Sequence, residues 1–242
     1  MKQKKVMKKL AGALALAGFV TVPMTGFAAG GQTGLYVAPK FVYSLAHMKN
    51  VNFQGTDEGG YDEGIGGRHD STFGGSLAMG YDFAKKFNVP VRAELEYAAF
   101  SSAEKRGQGT EPGYSWNVSQ KNRVQTLFVN AYYDFAGSSR FTPYVGAGLG
   151  AEFIKAKAGY NDSTGYSDSI ASGTRTNFAW NLGLGFGYRL SERVTLDAGY
   201  RFVSLGKVST KWEQWSDGSG DWRMKTKDMY QHQLGVGLRF CF

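Results

Sequence analysis

The chain has 242 residues, a formal net charge of +8, 34 glycines, 15% aromatic residues and one cysteine. Five lysines fall within the first nine residues, and without them the charge is +3, too mild to argue for nucleic acid as a partner. Cys241 alone cannot form an intramolecular disulfide, and the lack of any apolar run near ~18 residues, with a negative mean hydropathy, excludes a helix-bundle membrane protein.

The amino-terminus reads as an export signal. MKQKKVMKKL is basic with no acid, residues 10–22 (LAGALALAGFVTV) are apolar, and Gly26-Phe27-Ala28 offers small residues for cleavage after Ala28. The apolar run falls short of the ~20 residues a spanning helix needs. The expected organisation is therefore a signal peptide at 1–28 and a single domain at 29–242. With no cysteine at the cut, a lipidated amino-terminus is not supported.

From residue 35 onward the chain alternates with a period of two, the mark of strands with unlike surroundings on their two faces. Eight strands of about 11 to 14 residues are predicted, long enough to cross a bilayer when tilted. They centre on 35–45, 73–83, 89–99, 127–135, 141–153, 178–188, 194–202 and 234–242. One face takes the odd positions of the first five and the even positions of the last three, and none of these 46 residues is charged. The 40 interleaved positions hold 11 charges: Lys40, Asp82, Arg92, Glu94, Glu96, Asp134, Glu152, Arg189, Asp197, Arg201 and Arg239. A Lys or Arg against lipid costs ~2–4 kcal/mol at the bilayer midplane, so the uncharged face is expected to meet lipid and the charged face the interior.

Residues 47–71, 101–121, 156–174 and 207–228 read as long polar loops, and 84–88, 136–140 and 190–193 as short turns. Long and short alternate, which gathers the long loops at one end; with an even strand count, both termini lie at the periplasmic end. Glycines 146, 148, 150 and 183, 185, 187 step by two within strands. That spacing lacks the three-residue step of a phosphate-binding G-x-G-x-x-G loop and fits inward positions that make room for larger groups and let strands bend. Pro90 and Pro143 follow short turns, and Pro39, inside the first strand, is expected to mark a bulge.

With these residues in view, the chain resembles the small eight-stranded outer-membrane barrels of the opacity-protein and OmpA-barrel type. PYVGAGLGAEF (143–153), NLGLGFGYRLS (181–191), LDAGYRF (196–202) and the terminal LRFCF carry the resemblance, which covers the mature chain. It implies an all-β, eight-stranded antiparallel up-and-down transmembrane barrel in the outer membrane, surrounded by lipid and lipopolysaccharide. It also implies that the aromatic strand ending at Phe242 is read by the barrel-assembly machinery and that no chemistry is obligatory. No periplasmic domain is expected after the barrel, so the cell-wall anchoring of two-domain relatives is not carried over.

Function is read as structural or surface-interacting, an adhesin or antigen displaying four extracellular loops from a monomer. Tyr61, Tyr114, Trp116, Tyr160, Tyr166, Trp212, Trp215 and Trp222 lie in or beside those loops, where such residues serve either as binding anchors or as membrane-interface girdles. Three alternatives stay open. A narrow porin-like channel would exploit gaps left by inward glycines, although five basic and six acidic inward residues, with Asp197 and Arg201 beside Arg189 and Arg239, point to a balanced ion-pair network. A lipid-modifying enzyme could use His69-Asp70-Ser71, which shares its His-x-Ser spacing with lipid A deacylase barrels; His47 and His232 are the other histidines. A secreted lipocalin-like carrier would instead turn the apolar series inward.

No catalytic, cofactor-binding or metal-ligating residue is assigned. The acids Asp57, Glu58, Asp62, Glu63 and Asp70 lack a calcium-loop spacing, and the Asn117 and Asn161 sequons matter only in a eukaryote. Cys241 reads as a small inward residue near the rim.

Overall fold

A computed structural model describes residues 33–56, 60–135, 137–165, 167–171, 175–209, 213–214 and 221–242. The expected signal segment, 1–28, lies outside them. In chain order the elements are β1 (Leu35–Gly55), β2 (Tyr61–Asp82), the single-turn helix α1 (Ala84–Phe87), β3 (Val91–Phe100), β4 (Ala103–Glu111), β5 (Tyr114–Asp134) and β6 (Phe141–Asp162). They continue with β7 (Ser167–Ala171), β8 (Arg175–Arg189), β9 (Val194–Ser209), β10 (Glu213–Gln214) and β11 (Asp221–Cys241).

Eight of these strands form the wall. The pairings run β1–β2–β3–β5–β6–β8–β9–β11 and return from β11 to β1, every neighbour antiparallel. Closure leaves no exposed edge in the bilayer, where an unpaired backbone group costs several kcal/mol. At the seam the Phe242 N–H donates to the Leu35 carbonyl (2.9 Å) and the Thr33 N–H to the Phe242 carbonyl (2.6 Å), so the last residue is tied to the first strand.

The alternation holds in every wall strand. Met79, Val129 and Phe178 are 64%, 63% and 65% exposed on the outside, while Arg92, Glu94 and Glu96 are buried within. A soluble barrel would leave this apolar belt in water, which removes the lipocalin-like alternative.

Three expectations need correction. All the wall strands but β3, which has 10 residues, are longer than 11–14: β1, β5 and β11 have 21 each, and β2 and β6 have 22. Much of what reads as long loop is paired backbone, with β1–β2 in register out to Gly55↔Tyr61 and β4–β5 out to Glu111↔Tyr114. Polar residues do not stop a ladder; turn residues do. Between Glu111 and Tyr114, Pro112 and Gly113 (φ +82°) make a type II turn, whose third residue needs the left-handed backbone that glycine adopts without strain.

Pro39 marks no bulge. Its register with Leu77 is unbroken, and the β1–β11 register is the same on either side of it; the irregularities of β1 fall between Met48 and Asn52. The third correction lies in the charged interior, where Arg201 pairs with Glu96 rather than within the group around Asp197. The short turns fall where expected, the first ordered by Asp82, whose Oδ1 accepts from the Ala84 N–H (2.9 Å).

Candidate functional site: the lumen and the projecting hairpins

Inward side chains stack in tiers along the barrel. In the periplasmic half, Arg92 on β3 is 1% exposed and forks onto Asp134 of β5, Nε to Oδ2 at 2.6 Å and Nη2 to Oδ1 at 2.9 Å. Its guanidinium lies between the rings of Tyr132 (4.8 Å) and Tyr144 (5.0 Å). Glu94 accepts from Tyr36 Oη (2.9 Å) and Lys40 Nζ (3.0 Å), and Lys40 donates again to Glu96 (3.1 Å). Arg201 Nη1 lies 2.8 Å from the other Glu96 oxygen, and the same guanidinium donates to Gln233 Oε1 (3.0 and 2.7 Å). On the adjoining wall Asp197 accepts from Tyr144 Oη (2.8 Å) and Arg239 Nη2 (2.9 Å).

Four carboxylates thus meet four cations, as dehydrated charges require. This corrects the expected grouping: Arg239 does pair with Asp197, but Arg201 belongs to Glu96. Arg189 is exposed at the rim and donates to the Ser139 carbonyl (3.2 Å).

Between these groups a cavity of about 50 Å³, lined by Lys40, Glu96, Asp197, Arg201 and Gln233, has room for roughly three or four waters. Beyond it the lumen turns apolar. Phe128, Ala179, Val203, Leu205 and Met229 form one buried cluster, and Val42, Ala98 and Phe100 another. Past that layer Glu152 is fully buried, in register with Thr126 on one side and Asn177 on the other.

A row of inward glycines accommodates the largest side chain of the charged tier. Gly185, Gly199 and Gly235 are cross-strand partners on β8, β9 and β11, and Tyr144 is the partner of Gly185 on β6. Tyr144 lies across Gly185 and Gly199 to reach Asp197. A methyl group on Gly185 would sit 2.5 Å from the Tyr144 hydroxyl, and one on Gly199 2.7 Å from it. The sequence places these glycines inward to make room for a larger group, as found; that the group is Tyr144, and that it reaches Asp197, was not read there, although G-x-G steps opposite an inward tyrosine were its signal. The apolar layer was missed as well, although visible as large inward hydrophobes toward the loop ends of the strands.

His47 and His69 face each other in register, as do Leu45 and Ser71. The His47 ring stacks on Tyr230 (5.0 Å) and lies edge-on to His232 (5.2 Å), whose Nδ1 is 2.6 Å from the Tyr200 hydroxyl. The side chains of His69, Asp70, Asp62, Glu63, Tyr61, Tyr114, Trp116, Tyr160 and Trp222 lie outside the described residues, as do Asp57, Glu58, Tyr166, Trp212 and Trp215. Among the described residues no three His, Cys, Asp or Glu side chains are grouped to hold a metal. Cys241 is partly buried and packs inside against Tyr36, Ala38 and Ala78.

A closed antiparallel wall, apolar outside and with ion-paired charges within, defines an integral membrane β-barrel. Residues 12–241 match the model of the outer membrane protein beta-barrel domain, and the chain belongs to that family, which sets it in the cell outer membrane. It is 31% identical to the outer membrane protein PagN of Salmonella typhimurium over 192 residues, 75% of this chain and 78% of the relative. It is 28% identical to a Rickettsia bellii protein named "Putative adhesin" over 179 residues, 72% of this chain and 76% of that one. Among solved structures, Neisserial surface protein A superposes with a TM-score of 0.51 at 20% identity, covering 88% of this chain and all of that one, a likeness of fold.

Proposed function

We propose that the protein is a surface adhesin: a sealed barrel that holds stiff hairpins outside the cell for contact with a host or neighbouring surface. One observation carries this reading. The lumen is closed by a neutral ion-pair tier and an apolar tier, while the β1–β2, β4–β5–β6 and β9–β11 ladders continue beyond the lipid belt. A lumen filled by paired charges and packed apolar side chains, under paired backbone that extends outward, suits presentation, and the adhesin name of the Rickettsia relative agrees with it.

Three further readings accompany it. Residues 1–28 act as a cleaved export signal, the strand ending at Phe242 engages the assembly machinery, and the chain works as a monomer without enzymatic chemistry.

The test is display on the surface of a non-adherent bacterium, with attachment to epithelial cells counted. Attachment is expected, with loss when the β4–β5 hairpin is shortened by whole register pairs from its Pro112-Gly113 tip. Attachment no better than that of the empty host, with the folded barrel present at the surface, would overturn the proposal.

A further inference from the structure

Cross-strand neighbours of like charge destabilise a ladder, so sheets avoid them unless something else neutralises the pair. Across the described registers, charges that meet are otherwise of opposite sign, as in Asp82↔Arg92, Lys49↔Asp228 and Glu104↔Lys121. The β5–β6 ladder breaks this pattern twice, two positions apart, with Arg123↔Lys155 and Lys121↔Lys157. Lys121 has an acidic residue, Glu104, in register on its β4 side. Arg123 and Lys155 have no acidic residue in register on their other flanks among the described residues, and both side chains are exposed.

Their height decides what can meet them. On β6 the outward series runs from Phe141 to Phe153, 12 residues on; at ~3.3 Å per residue and a tilt near ~40° that is about 30 Å, the full apolar band. Lys155 is the next outward residue on β6. On β5 the belt ends at Leu127, and Arg123 follows Gln125 on the same face. The pair therefore stands where acyl chains give way to head groups, on the extracellular side.

The surroundings do not supply the missing anion. Apart from the pair itself, residues 103–123 and 154–175 carry five basic and four acidic side chains, whereas 47–71 carry two basic and five acidic. The acidic excess of the extracellular end thus belongs to the β1–β2 hairpin, which is not next to this pair in the strand order.

We infer that Arg123 and Lys155 form a binding site for a phosphate group of an outer-leaflet glycolipid. Arg123 supplies a planar fork for two phosphate oxygens and Lys155 a point charge for a third, and the bound dianion relieves the repulsion across the ladder. The site is independent of adhesion, since it faces lipid rather than another cell.

The test uses full-length protein extracted from the outer membrane, exchanged into detergent with bisphosphorylated lipid A or its phosphate-free counterpart, and weighed by native mass spectrometry. Bisphosphorylated lipid A is expected to remain bound at about tenfold higher occupancy, because one charge-assisted contact is worth about that factor. Arg123→Gln with Lys155→Gln should abolish the difference. Arg140→Gln with Arg193→Gln, equal in charge but at the periplasmic turns, should preserve it. Equal retention of the two lipids by unaltered protein overturns the inference without any variant. So does displacement of lipid A by millimolar inorganic phosphate, which would mark a free-anion site, or preferential capture of soluble dextran sulfate by the same two residues.

Discussion

Arg92 grips Asp134 with two parallel N–H···O contacts, 2.6 and 2.9 Å, and so pins β3 to β5 from inside the barrel. With Arg92 buried between two tyrosine rings, removing Asp134 leaves it only a longer contact of 3.5 Å with Glu94, a carboxylate already shared with Tyr36 and Lys40. Asp134→Asn is expected to cost ~3–5 kcal/mol in urea unfolding of the reconstituted protein. Exchanging the two charges (Arg92→Asp with Asp134→Arg) should recover part of that loss. A cost below ~1 kcal/mol, the level of an exposed ion pair, would mean the pair is wet.

Tyr144 and the glycines beneath it make a second, steric prediction. Gly199→Ala pushes a methyl group into the hydroxyl that donates to Asp197. Overpacking of this kind costs ~1–3 kcal/mol. In a Tyr144→Leu background the same substitution should cost much less, because the group it strikes is gone. Equal penalties in both backgrounds would show that the β9 backbone, rather than the tyrosine, resents the methyl group.

The stacked tiers predict electrical silence. Purified protein in a planar bilayer is expected to give no discrete openings, since an ion would have to pass four neutralised ion pairs and then an apolar layer. Emptying both tiers, with Glu96→Ala and Arg201→Ala together with Phe128→Ala and Leu205→Ala, should produce openings. Steady conductance from the unaltered chain would restore the narrow-pore alternative.

The outer face predicts a dependence on depth. Ala131, exposed at the midpoint of the β5 outward series and in register with Ala147 at the midpoint of the β6 series, should cost ~2–4 kcal/mol when changed to Arg, whereas the same change at Gln125, at the belt's edge, should cost ~0–1 kcal/mol. Equal penalties at the two positions would place the bilayer elsewhere on the wall.

Much of this was legible in the residues alone because a bilayer is an unforgiving solvent. Leu127, Val129 and Tyr133 had to alternate with Phe128, Asn130 and Asp134, and that parity fixed which way every wall residue points. Strand ends were not legible: beyond the belt, water tolerates paired and unpaired backbone alike, so the polar stretch 103–122 gave no sign of pairing except Pro112-Gly113 at its tip. Ion-pair partners were only partly legible. Arg239 and Asp197 lie on adjoining strands, but Arg201 reaches Glu96 across the lumen, a distance set by barrel diameter and glycine clearance rather than by spacing along the chain. The Arg123↔Lys155 repulsion was hidden for a related reason, because it exists only once the β5–β6 register is known.

The continuation of the ladders past the belt has a consequence for how such a surface changes over time. A projection braced by main-chain pairing keeps its height and direction whatever side chains it carries, provided its tip can still turn. Substitutions along it can therefore rewrite what an antibody or receptor touches while the scaffold beneath stays put, and a gain or loss of length would come most readily in whole rungs.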